Sequence, residues 1–323
     1  MTAARLVSIL VSLTTALAAS AQSLPALSDS VVASSALNSE GKVEVAAFIK
    51  ATSTLLRSAD ASQVRKGREA ITTSIAKSPP NAPFRTVFAS LVLPSLKEIV
   101  KTGTQLQGVN ALEVMRALNS PDSLSALAEQ CAPATQPQPS LRLVASGALA
   151  QSILFTDLNT AQADSLVRAL SACIDREGDW MVTAYDLQAV KALATSPRVP
   201  KASQGTARVV ESSALTTLVT KIRKKTTDPV MIRAVNRTLD AILSGQIEAT
   251  DSSAMADFGK SLEPALNMLV AMAKDPPSSD HAAAFGQAAK LAETLLRNLG
   301  GDKRPAKASA GAGSVAKPAT APR

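Results

Sequence analysis

Between residues 104 and 155 the chain spells two helices, a proline-rich link and the start of a third helix, and this pattern constrains the fold most. Ala111, Val114, Met115 and Leu118 fall at the i, i+3, i+4, i+7 spacing of one helical face. Ser120-Pro121-Asp122 then supplies a stop and a restart. Ser120 can cap the next helix, and Pro121 suits its first position, where the missing amide has no intrahelical partner anyway. Leu124, Leu127, Ala128 and Cys131 repeat the spacing. After Pro133, Pro137 and Pro139, the series Leu141, Val144, Ala145, Ala148 and Leu149 opens a third face. Helices with mostly small apolar faces bury them against neighbours, as stacked repeats do.

The same grammar extends in both directions. Val45, Phe48, Ile49, Thr52, Leu55 and Leu56 form a first face, and Val64, Ile71 and Ile75 a second that Ser78-Pro79-Pro80-Asn81 breaks. Phe84, Val87, Phe88 and Leu91 follow, with Pro94 expected to kink that helix. Beyond Cys173, Gly178-Asp179 reads as a helix end followed by a cap. Val210, Ala214, Leu218 and Ile222 form a later face, and Asp228-Pro229 caps the next helix. The spacing predicts about a dozen helices and no strand. Hydrophobic residues make up 46% of the chain but aromatics only 2%, so the core must be Ala, Leu, Val and Ile. That composition favours closely packed helices over sheets and leaves little for stacking on sugars or bases.

Arg5, the largely apolar residues 6–19 and Ala19-Ser20-Ala21 form the three-part pattern of a signal peptide over residues 1–21, cleaved between Ala21 and Gln22. The expected location is therefore periplasmic or secreted. Residues 22–39 read as a flexible lead-in, 40–300 as the helical-repeat domain and 301–323 as a disordered basic tail of Ala, Gly, Lys and Pro. No stretch of the mature chain is long and apolar enough to span a membrane. The net charge of +8 is unevenly spread: the tail holds Lys303, Arg304, Lys307, Lys317 and Arg323 against Asp302, and residues 22–301 carry only +3. With an export signal as well, nucleic acid is excluded as a partner. The tail suits contact with an anionic envelope surface.

With these helices in place, Leu141-Arg142 followed by Val144-Ala145 and Ala148-Leu149 resembles the second-helix signature of HEAT repeats. Asp228-Pro229 with Ile232-Arg233 and Thr238-Leu239 is similar but one residue out of phase, and Val64-Arg65 with Ala70-Ile71 is looser. These starts lie 77 and 91 residues apart, so two repeats per interval average about 38 and 46 residues, at or just under the HEAT-like period of about 40–47 residues. The resemblance implies an all-α fold, a right-handed α-solenoid of antiparallel helix pairs of the HEAT or armadillo type. The expected function is a non-enzymatic, exported scaffold that binds an unknown protein partner along its curved face.

Residues with chemistry to offer are few. His281 is the single histidine, so neither a Ser-His-Asp arrangement nor a histidine metal site has material; an exposed first-turn position is expected. Cys131 and Cys173 lie in matching Ser-Leu…Cys frames offset by 42 residues. Equivalent places on adjacent repeats and an oxidising compartment permit a disulfide, while two buried free thiols fit equally well. Residues 175–179 and Asp186 mimic the ligand spacing of a calcium loop, but Trp180 stands where the required glycine would be. A helix-to-helix turn capped by Asp179 is the better reading. Glu211-Ser212 resembles the catalytic pair of lytic transglycosylases, which implies the alternative function, an exported enzyme acting on cell-wall or polysaccharide material. The downstream Gly-Leu-Met-Gln-type motif is absent, and a lone helical carboxylate is expected in solvent. The run from Lys221 to Lys225 reads as a solvated, dipole-favoured helix end. No phosphate loop, metal-spaced set or nucleophile elbow is present, and no cofactor is implied.

Overall fold

In a computed structural model of the chain, residues 26–34, 36–77, 83–246 and 252–299 are described. The expected signal peptide with its Ala21–Gln22 cleavage, the Ser78-Pro79-Pro80-Asn81 break and the basic tail lie outside them. Among the described residues the chain is all-helical, with thirteen α-helices and no strand. It forms two compact units that divide between Val114 and Met115.

The first unit holds α1 (Asp29–Val32), α2 (Ser39–Leu56), α3 (Ala61–Ala76), α4 (Pro83–Thr102) and most of α5 (Gln105–Leu118). The short α1 falls within the stretch expected as a lead-in, and its Val31 and Val32 are buried. The core gathers Val45, Phe48 and Leu56 of α2, Val64 and Ile71 of α3, and Phe84, Phe88, Leu96 and Ile99 of α4. Phe88 lies 6.2 Å from Phe48 and 5.3 Å from Phe84, ring centre to ring centre, in tilted pairs. Leu91, expected on this face, is 43% exposed. The buried line runs through Phe84, Phe88, Val92, Leu96 and Ile99 instead, and α4 continues through Pro94.

The second unit runs from the end of α5 through α6 (Pro121–Cys131), α7 (Pro139–Ile153), α8 (Thr160–Arg176), α9 (Trp180–Thr195), α10 (Lys201–Arg223), α11 (Ile232–Gln246), α12 (Ser252–Met272) and α13 (Ala282–Leu299). Its caps are local. Ser120 accepts from the Ser123 amide at 3.2 Å while Ser123 Oγ accepts from the Ser120 amide at 3.1 Å, with Pro121 at the first position. Asp179 accepts from Met181 and Val182, and Asp228 from Val230 in the 3-10 turn that precedes α11.

Each helix of this unit packs against the next but one: α6 on α8, α7 on α9, α8 on α10, α9 on α11, α10 on α12, and α11 on α13; the neighbours α6–α7, α8–α9, α9–α10, α10–α11 and α12–α13 also pack together. Two rows result, α6–α8–α10–α12 and α7–α9–α11–α13. Within a row the helices run parallel. Trp180, Tyr185 and Lys191 of α9 meet Arg233, Arg237 and Ala241 of α11 in the same order. Likewise Asp164 and Asp175 of α8 meet Ser203 and Lys221 of α10. Side-chain hydrogen bonds between helices accordingly recur at separations of 35 to 50 residues, from Arg142–Glu177 to Lys191–Ala241. The first unit shows the same interval in Ser95–Ser53 at 42 residues and Gln107–Ser58 at 49.

Candidate functional site

The α7–α9–α11 row carries a developed surface. The chain has one tryptophan and one tyrosine, and both stand half-buried on α9. Arg233 lies over the Trp180 ring at 5.6 Å and Arg237 over the Tyr185 ring at 4.4 Å. Tyr185 also meets Gly147 of α7, where a side-chain carbon would come within 3.4 Å of the ring. Both arginines are exposed, and neither has a carboxylate within ion-pair distance among the described residues. A guanidinium seated flat on a ring keeps its edge donors free for a planar anion. Residues four apart on a helix sit about 5–6 Å from each other at Cβ, so the two forks form one pair.

Arg237 also borders an open groove of about 400 Å³ along the same row. Its floor is small and apolar, from Ala150, Ala184, Leu187 and Ala241. Gln151, Gln188, Lys191 and Asp240 complete the rim with Arg237. The Lys191 ammonium donates to the Ala241 carbonyl, which ties α9 to α11. At one end Leu154, on the groove wall, is 46% exposed, and Phe155 beside it 62%.

Beneath this surface lies a polar layer that the apolar spacing did not announce. Arg142 of α7 reaches Glu177 through two parallel bonds, Nε to Oε2 at 2.7 Å and Nη2 to Oε1 at 2.9 Å. Its Nη1 donates to the Gln136 and Pro137 carbonyls of the proline-rich link. Glu177 Oε1 further accepts from the Gly178 and Asp179 amides. One buried guanidinium thus holds the link, α7 and the α8–α9 turn together, and its bond to Glu177 pushes its own pKa up. One helical turn on, Asp186 of α9 is fully buried against Ser146 of α7, and its Oδ2 has no partner. Burial raises the Asp186 pKa to about 8.

The residues singled out from the sequence fall as follows. Residues 175–179 form the turn capped by Asp179, but Glu177 and Asp186 both point inward, to Arg142 and Ser146. Among the described residues no set of three or more ligating side chains could hold a metal ion. Cys131 and Cys173 are buried free thiols on the neighbouring helices α6 and α8. Burial pushes Cys131 well up and Cys173 to about 12. His281 is half-buried in a 3-10 turn, with Nδ1 3.2 Å from Ser278 Oγ. The run from Lys221 to Lys225 closes α10, with Lys221 donating to the Asp175 carbonyl.

Glu211 is a correction. It was expected in solvent, yet it is 2% exposed and its Oε1 is enclosed without a partner. Ala207, Leu215, Leu218 and Ile222 set the buried line of α10, and position 211 lies on it, four residues from Ala207 and from Leu215. Val210, expected there, is half-buried. Desolvation raises the Glu211 pKa to about 7, with Lys191 and Arg208 opposing the shift.

Sequence reasoning missed the two arginine–ring pairs. The signal that could have found them is spacing: Trp180 and Tyr185 lie five apart, Arg233 and Arg237 four apart, and each pair is separated by just over fifty residues. Fold and surface together define an all-helical protein with a groove on one helix row. No family model matches the chain, and no curated protein matches it.

Proposed function

We propose that the chain is an exported scaffold of HEAT-like stacked helix pairs, wound as a right-handed solenoid. It holds another protein against the row of α7, α9 and α11 and has no catalytic activity of its own. The observation that carries this reading is the open groove on that row, with arginines that have no ion-pair partner among the described residues seated on the one tryptophan and one tyrosine of the chain. Such rings and arginines are the side chains that dominate binding surfaces. The next-but-one packing, repeating at a near-constant sequence interval, supports the repeat architecture.

Export rests on Arg5, residues 6–19 and Ala19-Ser20-Ala21, and the basic tail serves as a contact for the anionic envelope. Among the described residues no helix is long and apolar enough to cross a membrane. The competing lytic-transglycosylase-like reading needs Glu211 in a cleft that a sugar chain can enter. A glutamate with a raised pKa suits general-acid chemistry, but Glu211 Oε1 is enclosed between helices. Affinity capture from a cell-envelope fraction tests the scaffold: one protein should co-purify reproducibly and saturably. Reproducible absence of any partner overturns it. N-terminal sequencing of the exported protein should begin at Gln22.

A further inference from the structure

We infer that the α7–α9–α11 groove binds an acidic, extended polypeptide segment of the partner, whose carboxylates are gripped by Arg233 and Arg237 while its small apolar side chains lie on the alanine-lined floor. This rests on the scaffold reading and names the chemistry of what the scaffold holds.

Four observations converge on that occupant. First, the charge is one-sided. Among the described lining residues Arg237 and Lys191 stand against the one carboxylate of Asp240, with the neutral amides of Gln151 and Gln188 between, and Arg233 lies one turn from Arg237 over Trp180. Second, the arginines are preorganised. A free arginine loses side-chain entropy when it grips a ligand, whereas one already seated on a ring has lost much of it. Placing both rings under exposed guanidiniums, with no ion-pair partner among the described residues, serves a bound anion better than it serves the core. Third, the floor is shallow and apolar, and Leu154 and Phe155 continue it at one end with exposed apolar surface. A ligand with apolar groups between its charges matches that alternation, as an extended polypeptide does when successive side chains point to opposite sides. A bare polyanion would leave the floor unfilled. Fourth, the groove is a recess between helices of one row, so a flat anionic bilayer would meet its rims and leave the floor uncovered. The chain's own C-terminal residues are not the occupant, because Lys303, Arg304, Lys307, Lys317 and Arg323 give them the same sign as the rim.

The test is fluorescence anisotropy on the full mature chain. The probe is a fluorescein-labelled peptide of about twelve residues, alternating glutamate with alanine and leucine. Its glutamine counterpart, and vesicles of phosphatidylcholine with phosphatidylglycerol, serve as the other arms. The acidic peptide should bind saturably and weaken as salt is raised, and the glutamine peptide should bind at least about tenfold more weakly, the loss of roughly one charge-assisted grip. Arg233→Ala with Arg237→Ala should lower affinity at least about tenfold, and Gln188→Glu, an exposed change on the rim, several-fold. Asp240→Asn should tighten binding, a gain that misfolding cannot produce. Circular dichroism melts establish that each variant is folded.

The inference is overturned if the double arginine variant binds the acidic peptide like wild type, if the glutamine peptide binds equally well, or if the vesicles bind while the peptide does not. Failure here is separable from failure of the scaffold reading. A captured partner whose binding ignores all these substitutions keeps the scaffold and removes this groove as its seat. Charge-dependent peptide binding with no partner captured does the reverse.

Discussion

Asp186 and Arg142 show how single residues set the terms of the polar layer inside the helix rows. Ser146 Oγ lies 2.5 Å from Asp186 Oδ1 and 2.9 Å from the Arg142 carbonyl. A hydroxyl has one proton, so Ser146 must share it between the two acceptors unless Asp186 brings a proton of its own. Its pKa near 8 agrees with a neutral acid, and Glu211, near 7, behaves alike. In the unfolded chain both ionise near the ordinary carboxylate values of 3.8 and 4.5. Between those values and 7 to 8 the native state therefore holds more protons than the unfolded one. Stability is full below the unfolded values and falls as pH rises, levelling only above the native values. The melting temperature should drop between about pH 5 and pH 8, and Asp186→Asn, which mimics the neutral acid, should flatten that slope. A melting curve that rises across this window removes the assignment. The Arg142–Glu177 pair is a different case, since both groups are charged, buried and forked together. Arg142→Ala leaves a buried carboxylate with only two amides, and should cost about 3–5 kcal/mol in urea unfolding. Arg142→Lys keeps the charge but cannot form the fork, so it should rescue only part of the loss.

At the scale of the element, close approach decides what substitutions a helix accepts. Gly67 on α3 faces α2, and a Cβ there would stand 3.0 Å from the Thr52 carbonyl oxygen and 3.1 Å from the Leu56 nitrogen, both backbone atoms. Alanine is the better helix former by up to about 1 kcal/mol, but here the backbones must separate, and overpacking costs typically about 1–3 kcal/mol. Gly67→Ala should thus destabilise by about 1–2 kcal/mol in chemical denaturation, and a stabilised variant would show that α2 and α3 part freely. The elements themselves were legible because their signals are local: Ser120, Asp179 and Asp228 cap helices where the sequence placed them. Which face a helix buries was less legible. Periodicity put Val210 and Leu91 inward, and packing turned α10 to enclose Glu211 and left Leu91 half in solvent. The site was least legible. Nothing in the apolar spacing marks Arg142, Glu177, Ser146 and Asp186 as a buried set until partners 35 to 40 residues away meet, and the seats of Arg233 and Arg237 exist only once α9 and α11 run parallel.

At the scale of the whole second unit, helices pack chiefly on those one or two places along the chain; if stability there sums over such contacts, as it does in stacked repeats, the two cysteines report one of them. Cys131 lies on α6 and Cys173 on α8, helices that pack directly together. The Cys131 thiol donates to the Leu127 carbonyl at 3.3 Å and is wholly enclosed. Cys173 borders a groove of about 310 Å³ between the two helices and is 3% exposed. A thiol reacts through its thiolate. With the Cys173 pKa near 12 and that of Cys131 also well raised, native protein at neutral pH should label with iodoacetamide only through opening of α6 from α8. Labelling followed by peptide mass mapping should show both cysteines protected without denaturant. Cys173 should be modified first as urea is raised, because a small parting of the helices reaches it from the groove, and Cys131 only when α6 leaves its neighbours. Complete unfolding without reductant should yield two labelled thiols. If it yields none, the matched frames around Ser123 and Ser165 have closed into a disulfide, and the free-thiol arrangement is wrong for the exported protein. If both cysteines label at the same urea concentration as global unfolding, the second unit opens as one cooperative block and the picture of locally summed helix contacts fails.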